Sequence, residues 1–189
     1  YFSRDYRFII KTIRHSEHQF LRSILKEYHE FIKKNPHTLL SRFYGLHRVK
    51  LPRGRKIHFV IMNNLFPPHR DIHETYDLKV LASFIDLLLE VRTDTEYEIL
   101  QGSSIGRIYP EALAAENPTA ILKDLNWLQR QRFLCLGPEK KALFEEQLRR
   151  DTELLQRLGI IDYSLLAAVH MVTRGNTDNL RDGILSVFQ

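Results

Sequence analysis

Asp162 stands at the entrance to the apolar, strand-like run 160–170, directly after a helical segment that Gly159 ends. A carboxylate held between a helix end and a buried strand is where a phosphoryl-transfer enzyme keeps the base that orients an attacking hydroxyl and takes its proton. An aspartate in that place also suits a plain helix-terminal turn, and this segment alone leaves both readings open. Lys11 interrupts Phe8-Ile9-Ile10-Lys11-Thr12-Ile13, whose alternation sets it among apolar neighbours. A buried ammonium is costly unless an anion meets it; a lysine snorkelling from a sheet edge is the alternative. Glu17 follows in the first turn of a helix, either favouring the helix dipole or pairing with Lys11. Gly102-Ser103-Ser104-Ile105-Gly106-Arg107 has the composition of a phosphate-contacting turn and equally of an ordinary loop.

The histidines carry less information. His15 with His18 and His69 with His73 have helical spacings that suit a metal, but Cys135 is the single cysteine and no His-Glu-x-x-His pattern occurs, so they read as surface residues.

These groups need elements to hold them. Residues 7–13 read as a strand. Ser16 and Gln19 have capping-box spacing, after which Phe20, Leu21, Ile24, Leu25, Tyr28, Phe31 and Ile32 recur at helical intervals up to Asn35-Pro36. Two strand-like runs, 43–50 and 57–63, flank a basic loop with Pro and Gly and read as a hairpin. Strand, helix and hairpin in this order imply a sheet with one helix packed on it, and Pro67-Pro68 breaks the chain before a second lobe. Gly137-Pro138 opens a second long helix with proline at its first position, carrying Leu143, Phe144, Leu148, Leu154, Leu155 and Leu158 as far as Gly159.

Composition sets outer bounds. The chain has 189 residues, 43% hydrophobic and 27% charged, which is enough apolar content for a packed domain. One cysteine excludes an intrachain disulfide. The longest apolar patches, such as Leu87-Leu88-Leu89, are far short of the roughly 20 residues that span a bilayer. A net charge of +5 favours anionic partners, among them phospholipid headgroups, nucleotide phosphates and nucleic acid. Nucleic acid has little else in its favour: there is no zinc-ligand spacing, no ribonucleoprotein motif and no compact basic helix.

Six segments, in order, resemble the phosphatidylinositol-phosphate kinases: Phe8-Ile9-Ile10-Lys11-Thr12-Ile13, Met62-Asn63-Asn64-Leu65, Tyr76-Asp77-Leu78-Lys79, Gly102-Ser103-Ser104 with Arg107, Lys123-Asp124-Leu125-Asn126, and Asp162-Tyr163-Ser164-Leu165-Leu166. Phe43-Tyr44-Gly45-Leu46-His47-Arg48-Val49-Lys50, the run from Asn63 to His69 and the closing residues 181–189 most resemble the fungal phosphatidylinositol-4-phosphate 5-kinases. The resemblance implies a two-lobed, kinase-like α/β (α+β) fold of antiparallel sheets with packed helices, incomplete at both ends. Residues 1–66 would form a partial first lobe, and residues 67–189 a partial second lobe with the catalytic loop near 160–166.

The implied activity is transfer of the γ-phosphoryl of ATP, with Mg2+, to phosphatidylinositol 4-phosphate at the anionic cytoplasmic face of the plasma membrane. The alternative kept beside it is an inactive fragment that binds phosphoinositide or nucleotide. By the same resemblance, Asp162 is the catalytic-loop aspartate, Lys79 offsets charge on the transferring phosphoryl, and Asp77 positions Lys79 or a metal-bound water. Lys11 binds ATP phosphates with Glu17 as its partner. Met62, Asn63, Asn64 and Leu65 form the hinge that meets adenine, and Arg107 lies on the phosphate side. The family's glycine-rich loop would precede Lys11, and its magnesium-holding aspartate would follow Gln189. The chain alone is therefore expected to be weak or inactive, and no metal ligand is assigned within it.

The family reads Asp-Leu-Lys-Gly-Ser without a break, whereas residues 80–101 separate Lys79 from Gly102 here. Valine codons begin with GT and one glutamine codon is CAG, so Val80 and Gln101 have the ends of a translated intron. A true insertion is the alternative, with Phe84, Leu87, Leu88 and Val91 along one face of a short helix.

Overall fold

The computed structural model describes residues 1–52, 54–66, 69–79 and 106–177. The insertion at 80–101, the Gly102-Ser103-Ser104 turn and the closing residues 181–189 lie outside the described residues. The chain divides into two compact units, Tyr1–Pro68 with Glu146–Ile160, and His69–Glu145 with Ile161–Gln189.

In the first unit, β1 (Phe8–Ile13), β2 (Phe43–Lys50) and β3 (Lys56–Asn63) form an antiparallel sheet in the order β1-β3-β2. Helix α1 (His15–Lys34) lies against it. The apolar residues Leu21, Ile24, Leu25 and Tyr28 recur at helical spacing and meet Phe43, Leu46 and Val60 of the sheet. Val60 is buried on β3, and Tyr28 is buried with its hydroxyl donating to the Ser41 carbonyl at 2.7 Å while accepting from the Phe43 amide at 3.2 Å. The start of α1 differs from the Ser16–Gln19 expectation. Arg14 is the N-cap, and the Glu17 carboxylate accepts the Arg14 amide at 2.6 Å, so a carboxylate near the positive end of the helix does the capping.

Helix α4 (Gly137–Arg157) contributes its later turns to this unit. Buried Asp151 accepts from the Thr38 hydroxyl at 2.7 Å, the Leu39 amide at 2.7 Å and the Gln147 amide at 2.8 Å. Gly159 ends the helix in the left-handed region, with φ +71°, and the Ile160 amide reaches back to the Leu155 carbonyl while the Gly159 amide bonds that of Gln156. That double bond pattern is a Schellman cap, which glycine enters without a Cβ penalty.

In the second unit, β4 (Glu74–Lys79) is the middle strand of a mixed sheet, parallel to β5 (Ile121–Leu122) and antiparallel to β6 (Ser164–Val169). Helices α2 (Glu111–Glu116) and α3 (Asp124–Gln129) flank β5 in sequence. Antiparallel pairing joins β4 to β6 over six residues, and the two-residue β5 adds a short parallel pair on the other edge of β4. Tyr76 and Leu78 are fully buried with Leu122 and Trp127, and the rings of Tyr76 and Trp127 meet edge to face at 5.0 Å. Burying Tyr76 and Leu78 on one face of β4 forces Asp77 and Lys79 onto the other, which is how the core sets the site.

The surface expectation for the histidines holds for His15 and His69, which are exposed, and fails for His73. His73 is buried, its Nδ1 accepting from the Met171 amide at 2.9 Å and its ring lying against that of His170. His15 and His18 gather around buried His58 of β3.

Candidate active site

The antiparallel register pairs Lys79 with Ser164 and Asp77 with Leu166, so all four share the face of the sheet opposite the core. At the end of this ladder the Lys79 ammonium lies 3.1 Å from a carboxylate oxygen of Asp162 and 3.3 Å from its backbone carbonyl. Asp162 is 83% exposed at its side chain, and an ion pair that open to water contributes about 0–1 kcal/mol of stability. Its consequence is therefore positional: it biases the Asp162 carboxylate toward the Lys79 ammonium. Asp162 also has φ +57°, in the left-handed region that aspartate and asparagine enter more readily than most residues. A non-glycine residue held there marks a loop whose shape is imposed by its surroundings.

Beneath that pair lies a closed set of charges. Asp77 accepts from Lys123 Nζ at 2.8 Å and from Arg107 Nη1 at 3.1 Å. Asp124, fully buried at the start of α3, accepts from Arg107 Nε at 2.8 Å and from the Lys79 amide at 2.7 Å. Arg107 also donates to the Asp77 carbonyl at 2.6 Å, and the Leu125 amide bonds the Arg107 carbonyl at 3.0 Å. Two carboxylates thus meet two cations, with Arg107 joining β4 to α3. Asn126, also fully buried, completes the frame: its side-chain oxygen accepts the Tyr109 and Lys123 amides, and its amide donates to the Tyr109 carbonyl and Glu111. Replacing Asp124 by alanine would leave the Lys79 amide and the guanidinium without their acceptor. A loss of about 3 kcal/mol is expected, the low end for breaking a buried pair because Arg107 is 30% exposed; urea unfolding measures it.

Burial raises the Asp77 carboxyl, but hydrogen bonds from Lys123 and Ser164 and the charges of Arg107 and Lys123 outweigh it and bring the group down to about 2. A carboxyl depressed in the folded state contributes stability that is present above its ordinary value of 3.8 and is lost as pH falls through about 2. Between pH 5 and 2 the wild-type urea midpoint should therefore fall more steeply than that of Asp77→Asn, and parallel curves would refute the pairing.

Among the sequence-predicted residues, Asp77, Lys79, Arg107 and Asp162 come together in the second unit. Lys123, Asp124 and Asn126 join them, although the sequence assigns them no role; the signal is two polar residues, Asp124 and Asn126, set among Leu122, Leu125 and Trp127. In the first unit, Lys11 pairs with buried Val60 and so lies on the face that α1 covers, yet its side chain is exposed. The Lys11–Glu17 partnership is not formed: Glu17 is engaged at the helix cap, and no ion pair joins the two among the described residues. Of the residues expected to meet adenine, Met62 and Asn63 end β3, the Asn63 amide bonds the Arg42 carbonyl at 3.0 Å and the Asn64 amide the Arg7 carbonyl at 2.8 Å, while Leu65 is exposed.

Neither Asp77 nor Asp124 is open to a magnesium ion. Asp77 and Asp124 direct their oxygens at Arg107 and Lys123, and the only group of three potential ligand side chains among the described residues is made of histidines, not oxygen donors. No helix among them is long and apolar enough to cross a membrane.

A family model described as phosphatidylinositol-4-phosphate 5-kinase matches residues 1–189. The chain is 53% identical over 188 residues to a phosphatidylinositol 4-phosphate 5-kinase of Schizosaccharomyces pombe, covering 100% of this chain and 22% of that protein. It is 43% identical over 178 residues to a probable phosphatidylinositol phosphate kinase of Dictyostelium discoideum, covering 93% and 21%. To the human type-1 alpha phosphatidylinositol 4-phosphate 5-kinase it is 34% identical over 181 residues, covering 95% and 28%. The chain spans between a fifth and three tenths of the length of these relatives.

Proposed function

The chain belongs to the phosphatidylinositol-4-phosphate 5-kinase family, and from that premise we propose that it is the catalytic part of a lipid kinase acting on phosphatidylinositol 4-phosphate with ATP at the cytoplasmic face of the plasma membrane. The observation that carries the reading is the contact of Lys79 with Asp162, a base and a cation brought to the open face of one sheet. The inositol 5-hydroxyl oxygen attacks the γ-phosphorus, its bond to the β,γ-bridging oxygen breaks and ADP leaves. Asp162 orients the hydroxyl and accepts its proton, which then passes to solvent. Lys79 meets charge that builds on the equatorial oxygens, where a placed cation favours the transition state over the ground state.

Asp77 does its work indirectly. By taking up Lys123 and Arg107 it fixes β4 and leaves Lys79 free to face Asp162. Arg107 is accordingly a positioning residue, spent on Asp77 and Asp124. Lys11, which makes no ion pair among the described residues, is the cation for nucleotide phosphates. The amides of Asn63 and Asn64 are already donated, so within Met62-Asn63-Asn64-Leu65 the Leu65 amide is the one left to meet the adenine edge. Magnesium would supply charge neutralisation on the phosphates, with its ligands outside the set described above.

Vesicles carrying phosphatidylinositol, its 4-phosphate or its 5-phosphate, presented with ATP to the full-length protein that carries this chain, test the proposal. Product from the 4-phosphate, phosphorylated at the 5-position, is expected, and its rate should fall as salt shortens the Debye length from about 10 Å at 0.1 M to about 3 Å at 1 M. Equal use of all three lipids would overturn the substrate assignment.

A further inference from the structure

His15 and His18 are three residues apart on the first turn of α1 and so project from one side of it. His58 lies on β3 opposite Ile13 and shares a face with Val60, the residue that packs under α1. The three rings converge: His15 Nδ1 is 3.3 Å from His58 Nε2, and the His15–His58 and His18–His58 ring centroids are 4.8 and 4.6 Å apart. One nitrogen from each of the three lies within 4.8 Å of the others. Two nitrogens bound to a tetrahedral zinc at 2.0–2.1 Å stand roughly 3.3 Å apart, so the His15–His58 edge of such a site is already at ligand spacing and the other nitrogens lie within 4.8 Å. A hydrogen bond between His15 and His58 would account for two of the rings but not for the third.

We propose that His15, His18 and His58 form a three-histidine site for a zinc-class divalent cation, which clips the start of α1 to β3. Three imidazoles without a carboxylate select zinc, copper or nickel over magnesium and calcium, so the site is separate in kind from any metal used on phosphates. Arg48 sits opposite His58 in the β2–β3 register, Lys56 is two residues from it on the same face of β3, and Arg22 is one helical turn beyond His18. These cations oppose a bare dication and favour an anion or hydroxide at the fourth position, which no fourth protein ligand fills among the described residues.

Metal-free full-length protein titrated with Zn2+ in a calorimeter, and with Co2+ followed by its visible spectrum, reads the site without any kinase turnover. One equivalent should bind, with the intense absorption of tetrahedral Co2+, and Zn2+ should raise the melting temperature. His15→Ala, at an exposed position that need not disturb folding, and His18→Ala should each weaken Zn2+ binding roughly tenfold or more and abolish the melting shift. His29→Ala, on the same helix but outside the cluster, should bind as wild type. Absence of stoichiometric binding, an octahedral Co2+ spectrum, or wild-type affinity in His15→Ala and His18→Ala would each overturn the proposal.

Discussion

Asp162→Asn should lower lipid phosphorylation by roughly 10²–10⁴-fold, the span removed with a general base, while leaving the fold and its melting temperature as they were. Asparagine is the informative substitution for a local reason. Asp162 has φ +57°, a conformation asparagine also tolerates, whereas alanine would add strain of about 1–2 kcal/mol to the same loop and confuse catalysis with geometry. The Asn side chain can still accept a hydrogen bond from Lys79 but cannot take the proton. Because the pair is 83% exposed on the aspartate side, its loss should scarcely change stability, so a fall in turnover with unchanged urea midpoint isolates the chemical role.

Lys79→Ala should cost roughly 10²–10³-fold in turnover, the scale of removing one placed donor from a developing charge. It should act chiefly on kcat, with KM for the lipid little altered, since the interaction strengthens only as the phosphoryl moves. On the proposed mechanism the Lys79 side chain both meets the phosphoryl and holds Asp162, so the two substitutions should not add. The double variant should fall no further than about the worse single one; fully multiplicative losses would mean that the two side chains act independently. Lys79→Arg tests the geometry: a planar fork is not a compact ammonium, and partial recovery at most is expected.

Much of this arrangement is legible in the sequence. Apolar spacing gave α1 and α4, and Gly159 gave the end of α4, because helix periodicity and glycine caps are local signals. The N-terminal cap of α1 is not decided by spacing, since Ser16 and Glu17 both suit a first turn and only backbone geometry shows which residue reaches the open amide. The approach of Lys79 to Asp162 was not legible by spacing, because it depends on which strands pair and in what register, and that register follows from burying Tyr76 and Leu78. The Arg107–Asp77–Asp124–Lys123 set was hidden for the same reason: its members come from three separate stretches of chain. The histidine cluster left a trace that spacing within one helix did not exploit, for the alternation of β3 puts His58 on the face of Val60, under the helix that carries His15 and His18.

The central claim is that Asp162, steadied by Lys79, serves transfer of a phosphoryl group from ATP to the 5-hydroxyl of phosphatidylinositol 4-phosphate. The most direct test follows labelled γ-phosphate from ATP into lipid on phosphatidylinositol 4-phosphate vesicles, comparing the wild-type full-length protein with Asp162→Asn at matched folding. The prediction is labelled phosphatidylinositol 4,5-bisphosphate from the wild type and a signal lower by roughly 10²–10⁴-fold from the variant. Equal labelling by the two proteins, or no labelled lipid from the wild type, would contradict it.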